Sequence, residues 1–491
     1  MFWSGVEVPQ GVSSESLLQS LGVRFKKAPS NITVVVIGGG LSGLISADAL
    51  KSLGFDVIVL EGRGHRYGGR IDTKTNLVSG LWAEAGPEFL SPAHRLLIWH
   101  INNMGLDLLE TSGMEESPFT PIVAGGSLDC TFLSKEVLIV KKALTQRSLM
   151  HEFSPNFNGG EIEALDDDTL WSLVEELDLS ENTEKFLQAH FEFENGIDPR
   201  RIGLLPYLVL VKSHGSGFFE NLEKYRLNGG MSRLTSILEK RLSGLIQRGA
   251  KINRIECQDG LSRCILEKST GELEQRVIPG HEIILTIPPR LWIGGKLFGV
   301  TLTSELIPQM GDAIKVLIKV PSGFHIPTGI LPSAFLERDS LVQAVWEGGI
   351  GDVKSKRILT IMCGGSSAER MLKMRKDELI IQIISEISKF CPEFSDLGLS
   401  EQEFYFKDWG RIKLTGCGYG CPGPYEFTDY RPELLRLTPN NLHLSGEWES
   451  SEMWGYMEGA VRSALNAVLK ICFKHGAYIP KILQDLMVVS K

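Results

Sequence analysis

The residues Gly38-Gly39-Gly40-Leu41-Ser42-Gly43 stand directly behind the uncharged, β-branched run Ile32 to Ile37, and the next apolar run closes on Glu61. Types and spacing of this kind hold the pyrophosphate of a dinucleotide. Gly38 permits a tight turn, Gly40 lets backbone N–H groups approach a phosphate, and Gly43 lets the following helix, read over Leu41 to Leu53, pack on the strand. At the helix N-terminus the unpaired N–H donors and the positive end of the dipole stabilise the anion. Glu61 follows the strand Asp56 to Leu60, about 20 residues past the glycines, where a carboxylate accepts hydrogen bonds from a ribose diol. With strand, helix, second strand and acid in this order, dinucleotide binding outweighs a merely structural glycine turn.

Beyond Glu61 the chain reads Gly62-Arg63-Gly64-His65-Arg66-Tyr67-Gly68-Gly69-Arg70. Arginine near a pyrophosphate makes charge-assisted, often bidentate bonds, which favours a ligand role over a solvated basic loop. Far downstream, a short strand enters a turn at His443-Leu444-Ser445-Gly446-Glu447, and Trp454-Gly455-Tyr456-Met457-Glu458-Gly459-Ala460 opens a helix running through Ala467. This second glycine-rich junction also presents N–H groups and could hold another part of the same cofactor. Lys315 is a lone charge in the apolar run from Ala313 to Ile318. Strand alternation places it on one face with Ala313 and Leu317, so it needs a partner unless it snorkels from a sheet edge.

The chain of 491 residues exceeds what one core serves, so at least two domains are expected. A net charge of −9, with acids and bases mixed along the length, gives no reason to expect nucleic acid or an anionic membrane as partner. The eight cysteines form no Cys-x-x-Cys pair or zinc-like cluster, so reduced, buried thiols and no metal are expected. None of the ten histidines falls in an interpretable motif. Residues 1–30 lack a basic start followed by an apolar core, and no stretch approaches the roughly 18 apolar residues of a membrane span, so a soluble, cytoplasmic protein is expected.

Taken together, Val36-Ile37-Gly38-Gly39-Gly40-Leu41-Ser42-Gly43-Leu44, Gly68-Gly69-Arg70, Leu227-Asn228-Gly229-Gly230-Met231, the strand Glu282 to Ile287 with Pro288-Pro289, and the segments at Gly446-Glu447 and Gly455 to Ala460 resemble the flavin-dependent amine oxidase family, which includes monoamine and polyamine oxidases and L-amino acid oxidases. The resemblance spans nearly the whole chain and implies FAD bound in extended form. It implies that Gly38, Gly40, Gly43 and Glu61 serve the ADP half and Arg70 the pyrophosphate, with Leu41, Ser42, Arg63, Gly69 and Trp409 also binding the cofactor. Gly86-Pro87-Glu88-Phe89 would lie by the isoalloxazine, Ile255 would meet the adenine, and Glu447, Gly455, Tyr456, Met457 and Ala460 would reach the ribityl chain and ring. It singles out Lys315 as holder of a water next to flavin N5, and Tyr419 and Tyr456 as aromatic walls that orient an amine. Mammalian-type monoamine oxidases attach flavin to a cysteine immediately before the first such tyrosine. Here that position is Gly418, with Cys417 one residue earlier, so non-covalent FAD is expected.

The implied fold is α/β: a discontinuous Rossmann-like FAD-binding domain near 31–90, 222–300 and 431–475, and an α+β substrate domain from 91–221, mostly helical, and 301–430, a sheet carrying Lys315. Residues 1–30 would be an outer arm with an amphipathic piece at Ser14 to Leu21, and 476–491 a tail. Asp166-Asp167-Asp168-Thr169 reads as a helix start, and Leu341 to Trp346 and Ile358 to Cys363 as further strands. The implied reaction passes a hydride equivalent from an amine's α-carbon to flavin N5, with oxygen as acceptor and hydrogen peroxide as product. Venom-type L-amino acid oxidases carry a carboxylate-binding arginine where this chain has Phe89, which favours a simple amine over an amino acid, although Arg95, Arg200, Arg201 or Arg411 could bind a carboxylate. Acidic patches at Glu161 to Asp168 and Glu192 to Glu194 read as solvated helix faces more readily than as cation lures. An FAD-holding structural or regulatory protein without turnover is the alternative of another class, and a homodimer is left open.

Overall fold

The computed structural model describes residues 31–111, 130–153, 157, 159–215, 217–258, 260–267, 276–292, 302–324, 340–351, 356–389 and 391–477, without the side chains of 130–134 and 220. The expected N-terminal arm and all but the first two residues of the expected tail lie outside these.

The β-branched run forms the centre of a parallel sheet. Thr33–Ile37 pairs with Asp56–Glu61 on one side and Glu282–Leu285 on the other, and Ile246–Arg248 and Leu442–Leu444 are the outer strands. Val34, Val35, Val36, Ile283, Ile284 and Leu285 are all fully buried, as strands covered on both faces require. The helices Leu41–Ser52 and Met457–Lys474 pack against each other over one face of this sheet, through residues that include Leu44, Ala47, Ala464 and Val468. Gly43 is what admits the first of them, because a Cβ there would lie 1.9 Å from the Gly38 carbonyl oxygen. Gly38 itself has φ +110°, a turn that other residues rarely adopt.

A second, antiparallel sheet runs in the order Ala344–Glu347, Lys356–Gly364, Ala313–Pro321, Phe404–Asp408. Its core lies against Gly365–Lys373 and Lys376–Ser388 through Ala368, Met371, Ile380 and Ile383. The strand bearing Lys315 is interior, so the snorkelling alternative from a sheet edge fails. The strand expected from Leu341 begins only at Ala344, because the N–H groups of Leu341 and Val342 donate to the Glu386 carboxylate instead of a neighbouring strand.

A helical layer packs a third core around Leu144, Leu170, Phe186, Leu205 and Tyr207. The start expected near Asp166 to Thr169 is found: Thr169 caps Leu170–Glu175, and its hydroxyl accepts the Ser172 N–H at 3.1 Å. Asp166 departs from a solvated face. Fully buried, it accepts from the N–H groups of Phe427 and Thr428. The helix expected from Trp454 begins at Met457, with Gly455 at φ +78° still in the preceding turn.

Candidate active site

A cavity of about 480 Å³ opens where the parallel strands end, and it extends to the second sheet. Ligands of open parallel sheets lie in this crevice beyond the strand ends. Of the residues singled out from sequence, it is lined by Gly38, Gly40, Leu41, Ser42, Glu61, Arg63, Gly69, Arg70, Gly86, Pro87, Glu88, Phe89, Lys315, Trp409, Tyr419, Glu447, Gly455, Tyr456, Met457 and Ala460. Gly43 does not line it and serves the helix–strand contact. Ile255 does not reach it either. It is 1% exposed in a core with Ile37, Leu60 and Leu266, and Ala250, Lys251 and Ile252 line the wall in its place.

At the glycine end, Leu41–Ser52 starts at Gly40 without a side-chain cap and without an acid in its first turn. Its first N–H donors therefore suit an anion. Glu61 has both carboxylate oxygens on backbone donors, Gly39 N–H at 2.9 Å and Arg63 N–H at 2.7 Å, which fixes the acid at the end of its strand. Arg63 donates to the carbonyl of Gly69 at 3.2 Å and to Thr415. Met457–Lys474 presents a second uncapped N-terminus, after Tyr456, to the same cavity.

Midway, Arg70 donates to the Gly418 carbonyl at 2.8 Å and to Glu447 Oε1 at 2.5 Å. Glu447 also accepts from Gly420 N–H at 3.0 Å and Gly455 N–H at 2.9 Å, so one carboxylate ties three separate segments of wall.

The partner that Lys315 requires is Glu88: Nζ stands 2.8 Å from Oε2, and Arg226 stands 2.8 Å from Oε1. Trp346 Nε1 donates to the same Oε1 at 3.1 Å. Burial alone would raise the Glu88 carboxyl, but Arg226 and Lys315 outweigh it and hold the group below its ordinary value. The Lys315 ammonium lies 5.1 Å from the Trp346 ring centroid, and the Arg226 guanidinium 4.6 Å from that of Phe89. Arg226 and Trp346 carried no sequence signal, since neither sits in a glycine motif.

Tyr419 and Tyr456 both face the cavity. The Tyr419 hydroxyl donates to the Phe193 carbonyl at 2.5 Å. Behind Tyr456 stand the rings of His94 and His214, at 5.3 and 5.2 Å. Burial pushes His214 down to about 4 and His94 well below its usual value, so both rings are neutral at pH 7. Glu194 and Glu223 line the cavity too, and the first of these belongs to a patch that the sequence assigned to a solvated face. Arg95, Arg200, Arg201 and Arg411 do not line it, and Arg200 lies 4.4 Å from the Trp171 ring.

The described residues contain no group of three or more His, Cys, Asp or Glu fit to hold a metal, and no helix long and apolar enough to cross a membrane. Cys257, Cys264, Cys363, Cys391, Cys417, Cys421 and Cys472 are free thiols.

Residues 41–472 match the family described as flavin containing amine oxidoreductase. An L-amino-acid oxidase of Gloydius blomhoffii is 34% identical, covering 90% of this chain and 89% of that one. A flavin-containing amine oxidase of Oncorhynchus mykiss is 22% identical, over 91% and 87% of the two chains. Among solved structures, cyclohexylamine oxidase from Brevibacterium oxydans superposes with a TM-score of 0.75 at 21% identity, covering 91% of this chain and 99% of that one.

Proposed function

The chain belongs to the flavin-containing amine oxidoreductases, and on that premise we propose that it is an FAD-dependent oxidase of amines that carry no carboxylate. The cavity suits the cofactor: two uncapped helix N-termini and Arg70 meet it, and a glycine-lined wall leaves space for a flat ligand. Gly38, Gly40, Leu41, Ser42, Glu61 and Arg63 would hold the adenosine half, Gly69 and Arg70 the pyrophosphate, and Glu447, Gly455, Met457 and Ala460 the ribityl and ring side, with Gly86, Pro87, Phe89 and Trp409 alongside. The parallel sheet draws its strands from 31–90, 222–300 and 431–475, which supports dividing the chain into an FAD-binding part there and a substrate part elsewhere.

Non-covalent binding is supported by Gly418, where a Cβ would lie 2.7 Å from that of Ala313. A cysteine does not fit on this backbone. Cys417 points away into a core, and burial pushes its thiol up to about 11.

When bound in the cradle of Gly38, Gly40, Glu61, Arg70 and Glu447, FAD would supply a two-electron acceptor for a hydride equivalent from the substrate α-carbon, the resulting imine being hydrolysed by water to a carbonyl and ammonia or amine and oxygen taking the electrons to hydrogen peroxide. The chain's own residues supply orientation, charge and dryness. Tyr419 and Tyr456 present π faces to an amine, and the bond to Phe193 holds the Tyr419 ring in place. Lys315 uses one N–H on Glu88 and a second, at 3.4 Å, on the Glu84 carbonyl. An ammonium has three donors, so one remains to hold a water at the ring.

The observation that carries the choice of amine over amino acid is the cavity's charge. Its arginines are Arg63 and Arg70, both held by protein groups, while the position that would carry the carboxylate's arginine is Phe89, stacked under Arg226, whose charge is committed to Glu88. Anaerobic mixing of the yellow protein with panels of amines and L-amino acids tests this reading. Amines should bleach the flavin and, on readmission of oxygen, release peroxide. Bleaching by amino acids alone would overturn the substrate assignment, and a colourless protein that cannot be reconstituted with FAD would overturn the whole.

A further inference from the structure

A third buried charge stands behind Lys315 and Glu88. Arg226 lies on the strand Tyr225–Leu227, directly opposite Phe89 in the antiparallel register, and is 7% exposed. Its guanidinium meets Glu88 Oε1 at 2.8 Å and lies 4.6 Å from the Phe89 ring centroid. Its other hydrogen bonding is poor. A terminal N–H reaches the Glu347 carbonyl only at 3.5 Å, and Nε–H is buried with no hydrogen-bond partner among the described residues. A residue kept to tie segments together would use the five donors of its fork. Arg226 is buried for little more than one anion.

That anion already has a partner. Glu88 Oε2 lies 2.8 Å from Lys315 Nζ, so lysine and glutamate by themselves form a neutral pair whose fields largely cancel at a distance. Arg226, on the other carboxylate oxygen, offsets Glu88 in turn, and a guanidinium does not give up its proton. Two cations against one fixed anion leave positive charge in surplus behind the wall that Lys315, Glu88, Phe89 and Trp346 present to the cavity. All three charged groups are buried, so little water screens it. Two more acids, Glu84 and Glu223, face these cations. Burial pushes each up to about 7, so at pH 6 they are mostly neutral and leave the surplus standing.

Hydride transfer favours that sign. When the carbon–hydrogen bond of the amine's α-carbon breaks, both electrons leave with the hydrogen, the carbon remains as an iminium, and the acceptor gains one negative charge. Positive charge fixed in a poorly screened wall stabilises it. Resting on the reading that FAD occupies this cavity, we propose that Arg226 is a positioning residue for electron uptake: by neutralising Glu88 it lets the Lys315 charge reach the flavin ring and raises the flavin's reduction potential. Glu88 holds the lysine in place, and Arg226 keeps that bond from cancelling the lysine's field.

The test is the two-electron midpoint potential of the FAD-loaded protein at pH 6, read from flavin absorbance against a reference dye during slow reduction with no amine present. Arg226→Met should lower it by about 30 mV, a tenfold change in the two-electron equilibrium constant. Arg226→Lys, which keeps the charge without the fork, should recover most of that loss. Glu88→Gln should shift the potential upward, and Glu88→Gln combined with Arg226→Met, which again leaves one cation in surplus, should return it close to wild type. If Arg226 only braces the wall, the lysine variant behaves like the methionine one and the double variant departs further than either single one. Either result overturns the proposal, as does a potential that Arg226→Met leaves unchanged, or loss of FAD from both Arg226 variants. Should Glu88→Gln not hold FAD, the two Arg226 variants decide alone. A wild-type chain that never takes up FAD sinks the functional reading itself, whereas a loaded chain with an unmoved potential sinks only the role of Arg226.

Discussion

Glu88→Gln removes a single charge from the centre of the site while keeping the volume of the side chain. In the native protein that carboxylate is 4% exposed and meets Lys315 and Arg226, each at 2.8 Å, together with the Trp346 indole N–H at 3.1 Å. Taking one partner from a buried pair costs about 3–5 kcal/mol, because it strands an uncompensated charge. Here two cations lose the same anion. The net cost is expected near the middle of that range, about 4 kcal/mol. Urea unfolding of the FAD-loaded protein, followed by tryptophan and flavin fluorescence, reads this as a fall in midpoint of about 1 M, since m for a chain this long reaches roughly 3 kcal/mol/M or more. In a Lys315→Met background one stranded cation is already gone, so the same substitution should cost less by about 1–3 kcal/mol. An unfolding free energy within about 0.5 kcal/mol of wild type, or an equal cost in both backgrounds, would refute the shared-anion arrangement.

Lys315→Met alone should slow flavin reduction or reoxidation at least about tenfold with FAD still bound; unchanged stopped-flow rates would remove the lysine from the chemistry. Tyr419→Phe deletes the donor to the Phe193 carbonyl, and amine kcat/KM should fall by about 5- to 10-fold while flavin stays bound; equal loss of both would mean the hydroxyl only supports the fold. Gly43→Ala places a Cβ 1.9 Å from the Gly38 oxygen, so the protein should purify without FAD, as judged by its absorbance near 450 nm; a fully loaded variant would contradict the packing.

The glycines, Glu61 and Arg70 were legible because their duties are local or lie within one βαβ unit, where backbone geometry alone dictates residue type. Lys315 was legible as an anomaly, a charge in an apolar strand. Its partner was not, since Glu88 lies 227 residues away and nothing local joins the two. Glu194 was assigned to solvent because helical spacing reveals which residues share a face, but not that this face ends at a cavity built by other elements. Ile255 failed in another way: the wall is made three to five residues earlier, by Ala250, Lys251 and Ile252, while Ile255 turns into the core with Ile37 and Leu60. The late start of the strand at Ala344 reflects a distant carboxylate, Glu386, that takes the backbone donors before a neighbouring strand can.

The end of the helix Glu181–Asn195 concentrates several duties in four residues: Phe193 anchors the Tyr419 hydroxyl, Glu194 enters the cavity, Asn195 lines it, and the Gly196 carbonyl receives the N–H of Asp312, just before the strand of Lys315. Evolution could therefore retune which molecules are accepted through small shifts of one helical terminus, leaving the coenzyme cradle intact. A duplicated copy of such a gene could diverge in diet while inheriting its redox machinery unchanged.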